Sequence, residues 1–271
     1  MTNRLIRNIL SFVSILLVVP WCVSDIQNRD SDSAVRDGDQ TELARPSITS
    51  GMINMPDDSP DYGNPKIRNY IEDDDMKELH LLRLFVTPED QAIKALAKKI
   101  DRPIDAYQMA VQWIYVSDET LNHADDRWLT PQEFLTETPH YPYNPLKGKE
   151  ASDCEEKANT LVSLIRAEGI RPEDVRVTVG TIKCNNEETG HVWVELFIDG
   201  YWMALDPCSG PYWDDKDDKL VLRQGVSFDY YASHTYPAPQ IWAYYNDIYY
   251  LDPRAGSGNA PASWRLYVAT N

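Results

Sequence analysis

Cysteine is scarce in this sequence, and its spacing disfavours one kind of site. The 271 residues include four cysteines, Cys22, Cys154, Cys184 and Cys208, and none of them stands in a C-x-x-C pair. Structural zinc sites usually draw their ligands from such pairs, so a zinc-binding domain is not expected. Three of the four lie after the N-terminal segment, which leaves at least one thiol without a disulfide partner. That unpaired thiol needs a chemical explanation.

Positively charged residues are also few. The chain has 26 lysines and arginines against 43 aspartates and glutamates, which gives a formal net charge of −17. Binding to a phosphate backbone needs a basic face, so nucleic acid is not expected as a partner. Hydrophobic residues make up 42% of the chain and charged residues 25%, as is typical of a soluble globular protein.

Long hydrophobic runs are missing except near the N-terminus. Residues 9–23 form an apolar run of 15 residues that serines and Pro20 interrupt, whereas a membrane-spanning helix needs about 20. Arg4 and Arg7 precede this run. The pattern predicts a signal peptide over residues 1–24, with a retained N-terminal anchor as the alternative. The mature protein is therefore expected outside the cytoplasm, secreted or at the cell surface, and at a membrane only if this segment is retained.

Residues 25–66 lack a periodic apolar pattern. They are polar and rich in Asp, Ser, Gly and Pro, a composition that cannot bury enough apolar surface to fold. We therefore expect a disordered linker over 25–66, followed by one folded domain over 67–271.

Helical patterns dominate the first half of that domain. They begin at Pro88, at Pro103 and at Thr130, where Thr130 is a suitable N-cap and Pro131 a suitable first helical residue. The second pattern continues through Ser117, with apolar residues at helical spacing.

Strand patterns dominate the second half. The Asp199-Gly200 pair, between two β-rich runs, predicts a tight hairpin. Strands are predicted from Asp174, His191 and Tyr201, and in the tail within 219–228 and 241–251. Helices followed by antiparallel strands predict an α+β fold.

One further helix carries a cysteine in its first turn. Ser152 and Glu155 fit an S-x-x-E capping box, which makes Ser152 the predicted N-cap of a helix whose apolar stripe runs from Cys154 to Ile165. Unpaired N–H groups at a helix N-terminus stabilise a thiolate and can bind an oxyanion. Asp153 and Glu155 oppose a thiolate, but helical geometry should turn their side chains about 100° away from Cys154.

The predicted hairpin places a histidine near an acid. With the Asp-Gly pair at the turn, counting along both strands puts His191 opposite Cys208 and Trp193 opposite Asp206. His191 and Asp206 are then diagonal neighbours on one face, within reach of each other's side chains. If the helix packs on that face, Cys154 joins them, and His191 would hold the thiolate as an ion pair.

The same register bears on a disulfide. Cys184 and Cys208 would lie on either side of the strand that begins at His191. Two strand spacings of about 4.8 Å exceed the separation that a disulfide tolerates, so this bond requires the loop after Ile182 to fold over.

Three segments resemble the transglutaminase-like superfamily, and its bacterial and archaeal cysteine-peptidase branch in particular. They are WLTPQEFL from Trp128, SDCEEKANTLVSLIRAEGI from Ser152 and GHVWVELFIDGYWMALDP from Gly190, and together they span about residues 103–210. The resemblance implies a papain-like core in which the cysteine-bearing helix packs on an antiparallel sheet. It also implies Cys154 as the nucleophile, His191 as the general base and acid, and Asp206 as the acid that orients the imidazole.

The resemblance implies further roles near this triad. Trp128 is the candidate for a tryptophan near the oxyanion, and Trp193 lies beside the triad in the predicted register. Asp153 and Glu155 match positions that bind calcium in bacterial relatives. The interpretation of both as ordinary helix-start acids is favoured, so no cofactor is required, and calcium is the ion expected if one binds.

These features predict an exported enzyme that cleaves amides through a thioester. Cys154 attacks the carbonyl of a protein or peptide substrate, His191 protonates the leaving amine, and water or an amine resolves the thioester. Hydrolysis is favoured because nothing in the sequence marks an amine-acceptor site. A protein-crosslinking transglutaminase is one alternative. A non-catalytic module that binds peptide or cell-wall glycan through the aromatic tail is the other.

Overall fold

The computed structural model describes residues 75–124, 126–184 and 187–266. The predicted signal peptide or anchor at 1–24 and the predicted linker at 25–66 lie outside these residues. Within the described ranges, no helix has the length and apolar character needed to cross a membrane.

Short helices lead up to one long, buried helix. After a 3-10 helix at Asp75–Phe85, the α-helices are α1 (Gln91–Ala97), α2 (Pro103–Ala110), α3 (Asp118–Asn122), α4 (Pro131–Thr136) and α5 (Cys154–Ala167). A 3-10 turn at Thr138–His140 follows α4. The predicted start of α4 is confirmed, because Thr130 and Glu133 form a complete capping box and Pro131 is the first helical residue.

The strands form two sheets. The strands are β1 (Ile114–Tyr115), β2 (Ala151–Ser152), β3 (Val175–Cys184), β4 (Glu187–Ile198), β5 (Tyr201–Leu205), β6 (Tyr212–Asp214), β7 (Lys219–Val221), β8 (Gln240–Tyr245), β9 (Tyr250–Asp252) and β10 (Ser257–Gly258). The larger sheet has the order β10-β9-β8-β3-β4-β5, and its strand pairs are antiparallel. The remaining helical elements are a 3-10 turn at Pro207–Ser209, α6 (Phe228–Ser233) and α7 (Ala262–Leu266). Because α5 packs on β3 and β4, the predicted α+β class is confirmed.

The smaller sheet was not foreseen. Its order is β2-β1-β6-β7, and β1 pairs in parallel with both β2 and β6. The helix predicted from Pro103 to Ser117 therefore ends at Ala110, because Ile114 and Tyr115 pair with neighbouring strands instead. The strand predicted within 219–228 is also shorter, ending at Val221.

Helix α5 is enclosed on every side. Nearly all of its residues from Cys154 to Ile165 are buried, and α1 and α2 cover the side away from the sheet. A helix in such a position is normally apolar throughout. This one buries Glu155, Glu156 and Lys157 completely, so their charges must find partners inside the protein.

Gly180 lies on β3 and lets β8 pack closely against that strand. Gly180 pairs with His191 on β4, and a Cβ added to Gly180 would lie 2.2 Å from the carbonyl oxygen of Gln240. Gly180→Ala is therefore expected to lower the free energy of unfolding by about 2 kcal/mol through overpacking. Urea denaturation measures this loss. Gly190→Ala is the matched control, since a Cβ there meets Trp242 at an ordinary 3.5 Å, and an equal loss in both variants would contradict the argument.

Glu168, at the end of α5, lowers the stability of the folded protein at high pH. Both of its carboxylate oxygens are buried without a hydrogen-bond partner, and burial, with Asp105 and Asp101, raises the pKa of Glu168 to about 7. The folded pKa exceeds the unfolded value of about 4.3, so the folded state keeps the proton of Glu168 more tightly than the unfolded chain does. As far as Glu168 is concerned, the stability of the fold is therefore highest below pH 4.3 and falls as the pH rises through 7. Glu168→Gln should therefore be more stable than the wild type by about 1 kcal/mol at pH 8, solvent screening included, and equal to it near pH 4. Denaturant titrations at both pH values test this, and a pH-independent difference would contradict it.

Candidate active site

The β4–β5 hairpin has the predicted register. Asp199 and Gly200 both have positive φ, 53° and 89°, as a two-residue type I′ turn requires. Ile198 pairs with Tyr201, and the pairing continues in register to the end of β5. Just beyond the last pair, Nε2 of His191 lies 3.0 Å from Oδ2 of Asp206, and both side chains are fully buried. The hairpin thus brings the imidazole and the carboxylate together.

Asp206 is an anion that fixes the imidazole tautomer. Burial raises the pKa of Asp206, but the charge and hydrogen bond of His191 outweigh it, helped by donors from Tyr236 and Cys208, so the net pKa is lowered. Since a carboxylate only accepts hydrogen bonds, Nε2 of His191 carries the proton. The other ring nitrogen, Nδ1, is buried and has no hydrogen-bond partner. A neutral imidazole in this state can take a proton at Nδ1.

The start of α5 differs from the sequence prediction. Asp153, not Ser152, is the N-cap, and its side chain makes no capping hydrogen bond. Ser152 belongs to β2, and its hydroxyl donates to Oε2 of Glu156 at 2.9 Å. The predicted capping box of Ser152 with Glu155 is therefore wrong, because strand pairing with β1 takes Ser152 out of the cap position. Cys154 is still the first residue of the helix.

The Cys154 thiol contacts a carboxylate rather than His191. The side chain is 2% exposed, and Sγ donates to Oε2 of Glu155 at 3.1 Å. The expectation that both flanking acids turn away from the thiol is wrong. Burial raises the pKa of the Cys154 thiol well above its usual range, and Glu155 and Asp153 raise it further. Without a compensating cation, Cys154 is held as a thiol.

A cluster of carboxylates, buried except for the half-buried Asp126, surrounds the first turn of α5. Ligand atoms within 4.8 Å of one another come from two overlapping sets, Asp153 with Glu155 and Glu156, and Asp118 with Asp126 and Glu155. Burial and then Glu156 raise the pKa of Asp118 to about 8, and burial and then neighbouring carboxylates raise the pKa of Asp153 and Glu155 well above their usual range.

Three carboxylates of this cluster, Asp153, Glu155 and Glu156, have no cationic side chain paired with them among the described residues. Oδ1 of Asp153 and Oε1 of Glu155 are buried without a hydrogen-bond partner. Buried carboxylate oxygens that converge in this way fit a hard divalent cation such as calcium.

Lys157 is a buried residue near the site that sequence reasoning missed, and Cys208 is one that the predicted register put opposite His191 without a role. Nζ of Lys157 is fully buried and donates to the carbonyl oxygen of Trp113 at 2.7 Å. Burial lowers the pKa of Lys157, while charges on Cys208, Asp206 and Cys154 oppose that shift. Cys208 is a buried, free thiol with ligand atoms of His191 and Asp206 within 4.8 Å, so it forms no disulfide. The sequence signal for Lys157 was a lysine inside an otherwise apolar stripe.

The two candidate tryptophans occupy different surroundings. Trp193 is fully buried and lies beside His191, with ring centroids 6.2 Å apart and planes 20° from parallel. Trp128 packs edge-on against Phe85, with ring centroids 5.2 Å apart. Nε1 of each indole is buried without a partner. The oxyanion role of Trp128 stays a prediction.

The family comparison covers the residues that build this site. Residues 94–207 match the model of the transglutaminase-like superfamily. The matched segment is similar to that superfamily and makes up less than half of the 271 residues. It contains Cys154, His191 and Asp206, and it ends one residue after Asp206. Cys208 and Tyr236, which also lie at the site, stand outside the match.

The solved structures that the chain resembles share little of its sequence. No curated protein sequence matches the chain. A calcium-bound structure of Legionella pneumophila LapG is 14% identical and covers 70% of this chain and 96% of its own, with a TM-score of 0.39. An EGTA-treated structure of the same protein is 15% identical and covers 73% and 88%, with a TM-score of 0.36.

Proposed function

We propose that this protein is an exported, thiol-dependent hydrolase that cleaves amide bonds of a protein or peptide substrate. Cys154 is the nucleophile, His191 the general base and acid, and Asp206 the residue that orients the imidazole. The observation that carries the proposal is the state of His191. Its Nε2 is bonded to a buried carboxylate, while its Nδ1 is buried and has no partner.

The proposed reaction balances its protons on His191. The Cys154 thiol leaves Glu155 and gives its proton to Nδ1, and the thiolate attacks the amide carbonyl. Nδ1 returns that proton to the departing amine, which leaves a thioester on Cys154. A water molecule then gives a proton to Nδ1 as it attacks the thioester, the acid product leaves Sγ, and Nδ1 returns that proton to Sγ to restore the thiol. Backbone N–H groups in the first turn of α5 would bind the oxyanion in both steps.

A calcium ion is proposed as the partner of the buried carboxylates. Asp153, Glu155 and Glu156 would hold it, with Asp118 and Asp126 at the other side of the cluster. The ion would place a positive charge beside Asp153, Glu155 and Glu156, which form no ion pair with a cationic side chain of the described residues. With its carboxylate engaged as a ligand, Glu155 would no longer accept the proton of Cys154.

The first test is the pH dependence of Cys154 alkylation by iodoacetamide in saturating calcium. Peptide mass spectrometry scores Cys154, Cys184 and Cys208 separately. Alkylation of Cys154 that is fast well below pH 7 would support a thiolate held by His191, since an unperturbed thiol reacts with a midpoint near pH 8.5. Alkylation that follows an unperturbed thiol, or an inert Cys154, would reject catalysis in favour of a peptide- or glycan-binding module.

A second experiment separates hydrolysis from crosslinking. The protein is incubated with unfolded casein and a fluorescent primary amine, with Cys154→Ala as the blank. New casein fragments without label support hydrolysis. Label incorporated into intact casein would show transfer to amines and would overturn the hydrolytic proposal.

A further inference from the structure

The Asp206 carboxylate is held from three directions. Its Oδ1 accepts from the backbone N–H of Cys208 at 2.8 Å. Its Oδ2 is shared, because it lies 3.0 Å from Nε2 of His191 and also accepts from the Tyr236 hydroxyl at 2.8 Å. Tyr236 lies 29 residues beyond the end of the family match at residue 207. The donor that shares an oxygen with His191 thus comes from this chain's own C-terminal region.

Tyr236 is also fixed against the ring that lies beside His191. Its ring centroid is 5.1 Å from that of Trp193, and the centroid of Trp193 is 6.2 Å from that of His191. A second tyrosine, Tyr231, supports it at 6.2 Å. Burial, and then the charge of Asp206, raise the pKa of Tyr236 well above its usual range, so the phenol stays a neutral donor. Side-chain position and protonation state therefore both suit a permanent hydrogen bond to Asp206.

We propose that Tyr236 is a positioning residue that fixes the Asp206 carboxylate, so that His191 keeps its proton on Nε2 and presents an unprotonated Nδ1. Without Tyr236 the carboxylate keeps the Cys208 amide on Oδ1 and only Nε2 of His191 on Oδ2, so it can rotate about its terminal torsion whenever the His191 bond opens. The Tyr236 hydroxyl prevents that rotation. The catalytic consequence rests on the proposed function, whereas the hydrogen-bond arrangement does not.

Several other groups face Asp206 and must be kept constant in any test. The titratable and charged side chains around it are His191, Tyr236, Cys208, Lys157, Tyr107 and Tyr231. Tyr236→Phe removes one oxygen atom and keeps the ring against Trp193, so the remaining groups stay in place.

The test reads the tautomer of His191 directly. Protein labelled with ¹⁵N-histidine is compared by long-range proton–nitrogen correlation spectra at a pH where the ring is neutral, and His191→Gln assigns the signals. In Tyr236→Phe we expect the ratio of the Nε2–H form to the Nδ1–H form to fall about tenfold. That is the loss expected for one hydrogen bond to a charged group. An unchanged ratio would overturn the proposal.

The matched control is Tyr249→Phe. The Tyr249 hydroxyl also donates to a carboxylate, Oε1 of Glu173 at 3.0 Å, but on the far hairpin between β8 and β9. This variant loses the same kind of bond and should leave the His191 tautomer ratio unchanged. A fall in both variants would mean that general loosening of the fold, and not Tyr236, controls the tautomer.

Alkylation of Cys154 separates this proposal from the proposed function. We expect Tyr236→Phe to slow alkylation about tenfold, and to have no further effect in an Asp206→Ala background. An additional loss in that background would contradict action through Asp206. If His191→Ala leaves the alkylation rate unchanged, the proposed function fails, and the tautomer ratio alone then decides the role of Tyr236.

Discussion

In His191→Ala, alkylation of Cys154 near pH 7 in saturating calcium is expected to slow by about a hundredfold, the range of a lost general base. In the proposed site the thiolate would depend on the imidazole, because burial and the flanking carboxylates both disfavour a charge on Cys154. Removing the ring leaves the helix N-terminus as the remaining support for the thiolate. The rate constant at Cys154, measured by peptide mass at several pH values, checks the prediction.

Two further variants test the same prediction. His140→Ala removes an exposed histidine and should leave the rate at Cys154 unchanged. Asp206→Asn should give an intermediate loss of about tenfold, because an amide still occupies the site but no longer stabilises an imidazolium. If His191→Ala reacts as fast as the wild type, the ion pair of Cys154 with His191 does not exist, and the binding-module interpretation takes its place.

The His191–Asp206 pair could be predicted from the sequence because the geometry of a hairpin depends on residues that are close along the chain. An Asp-Gly turn fixes the register of the hairpin, and register fixes which side chains meet. The same reasoning found β5 and the N-cap of α4. Each of these features depends on residues that are close along the chain.

Features that depend on distant segments could not be found in this way. Ser152 is lost as a cap because β1, which lies some forty residues earlier, pairs with it. The third donor to Asp206 comes from Tyr236, in a tail whose aromatic residues gave no sign of which one would turn inward. The acid cluster adds Asp118 and Asp126 to the helix-start acids across a loop. A periodic pattern reports which face is buried, not which distant group covers it.

Calcium is expected to stabilise this protein and to speed alkylation of Cys154. At 1 mM calcium and a dissociation constant near 10 µM, binding adds about 2.7 kcal/mol to the free energy of unfolding. For a domain of this size that corresponds to a rise of about 5–10 °C in the unfolding temperature. Scanning calorimetry with calcium, and after EGTA, measures the shift. Alkylation of Cys154 under the same two conditions should be faster with calcium.

Asp153→Asn distinguishes a binding site from general screening of an acidic protein. It replaces a buried carboxyl group, one oxygen of which has no hydrogen-bond partner, with an amide that cannot ionise, so without calcium it should unfold at a higher temperature than the wild type. With a ligand lost, it should gain much less on adding calcium. Asp217→Asn is the control, since it removes the same charge from the exposed turn between β6 and β7 and should keep the wild-type response. Equal calcium responses in all three proteins would show that the cluster is not the site. The carboxylates of Asp153 and Glu155 would then oppose a thiolate on Cys154, and the proposed catalysis would rest on His191 alone.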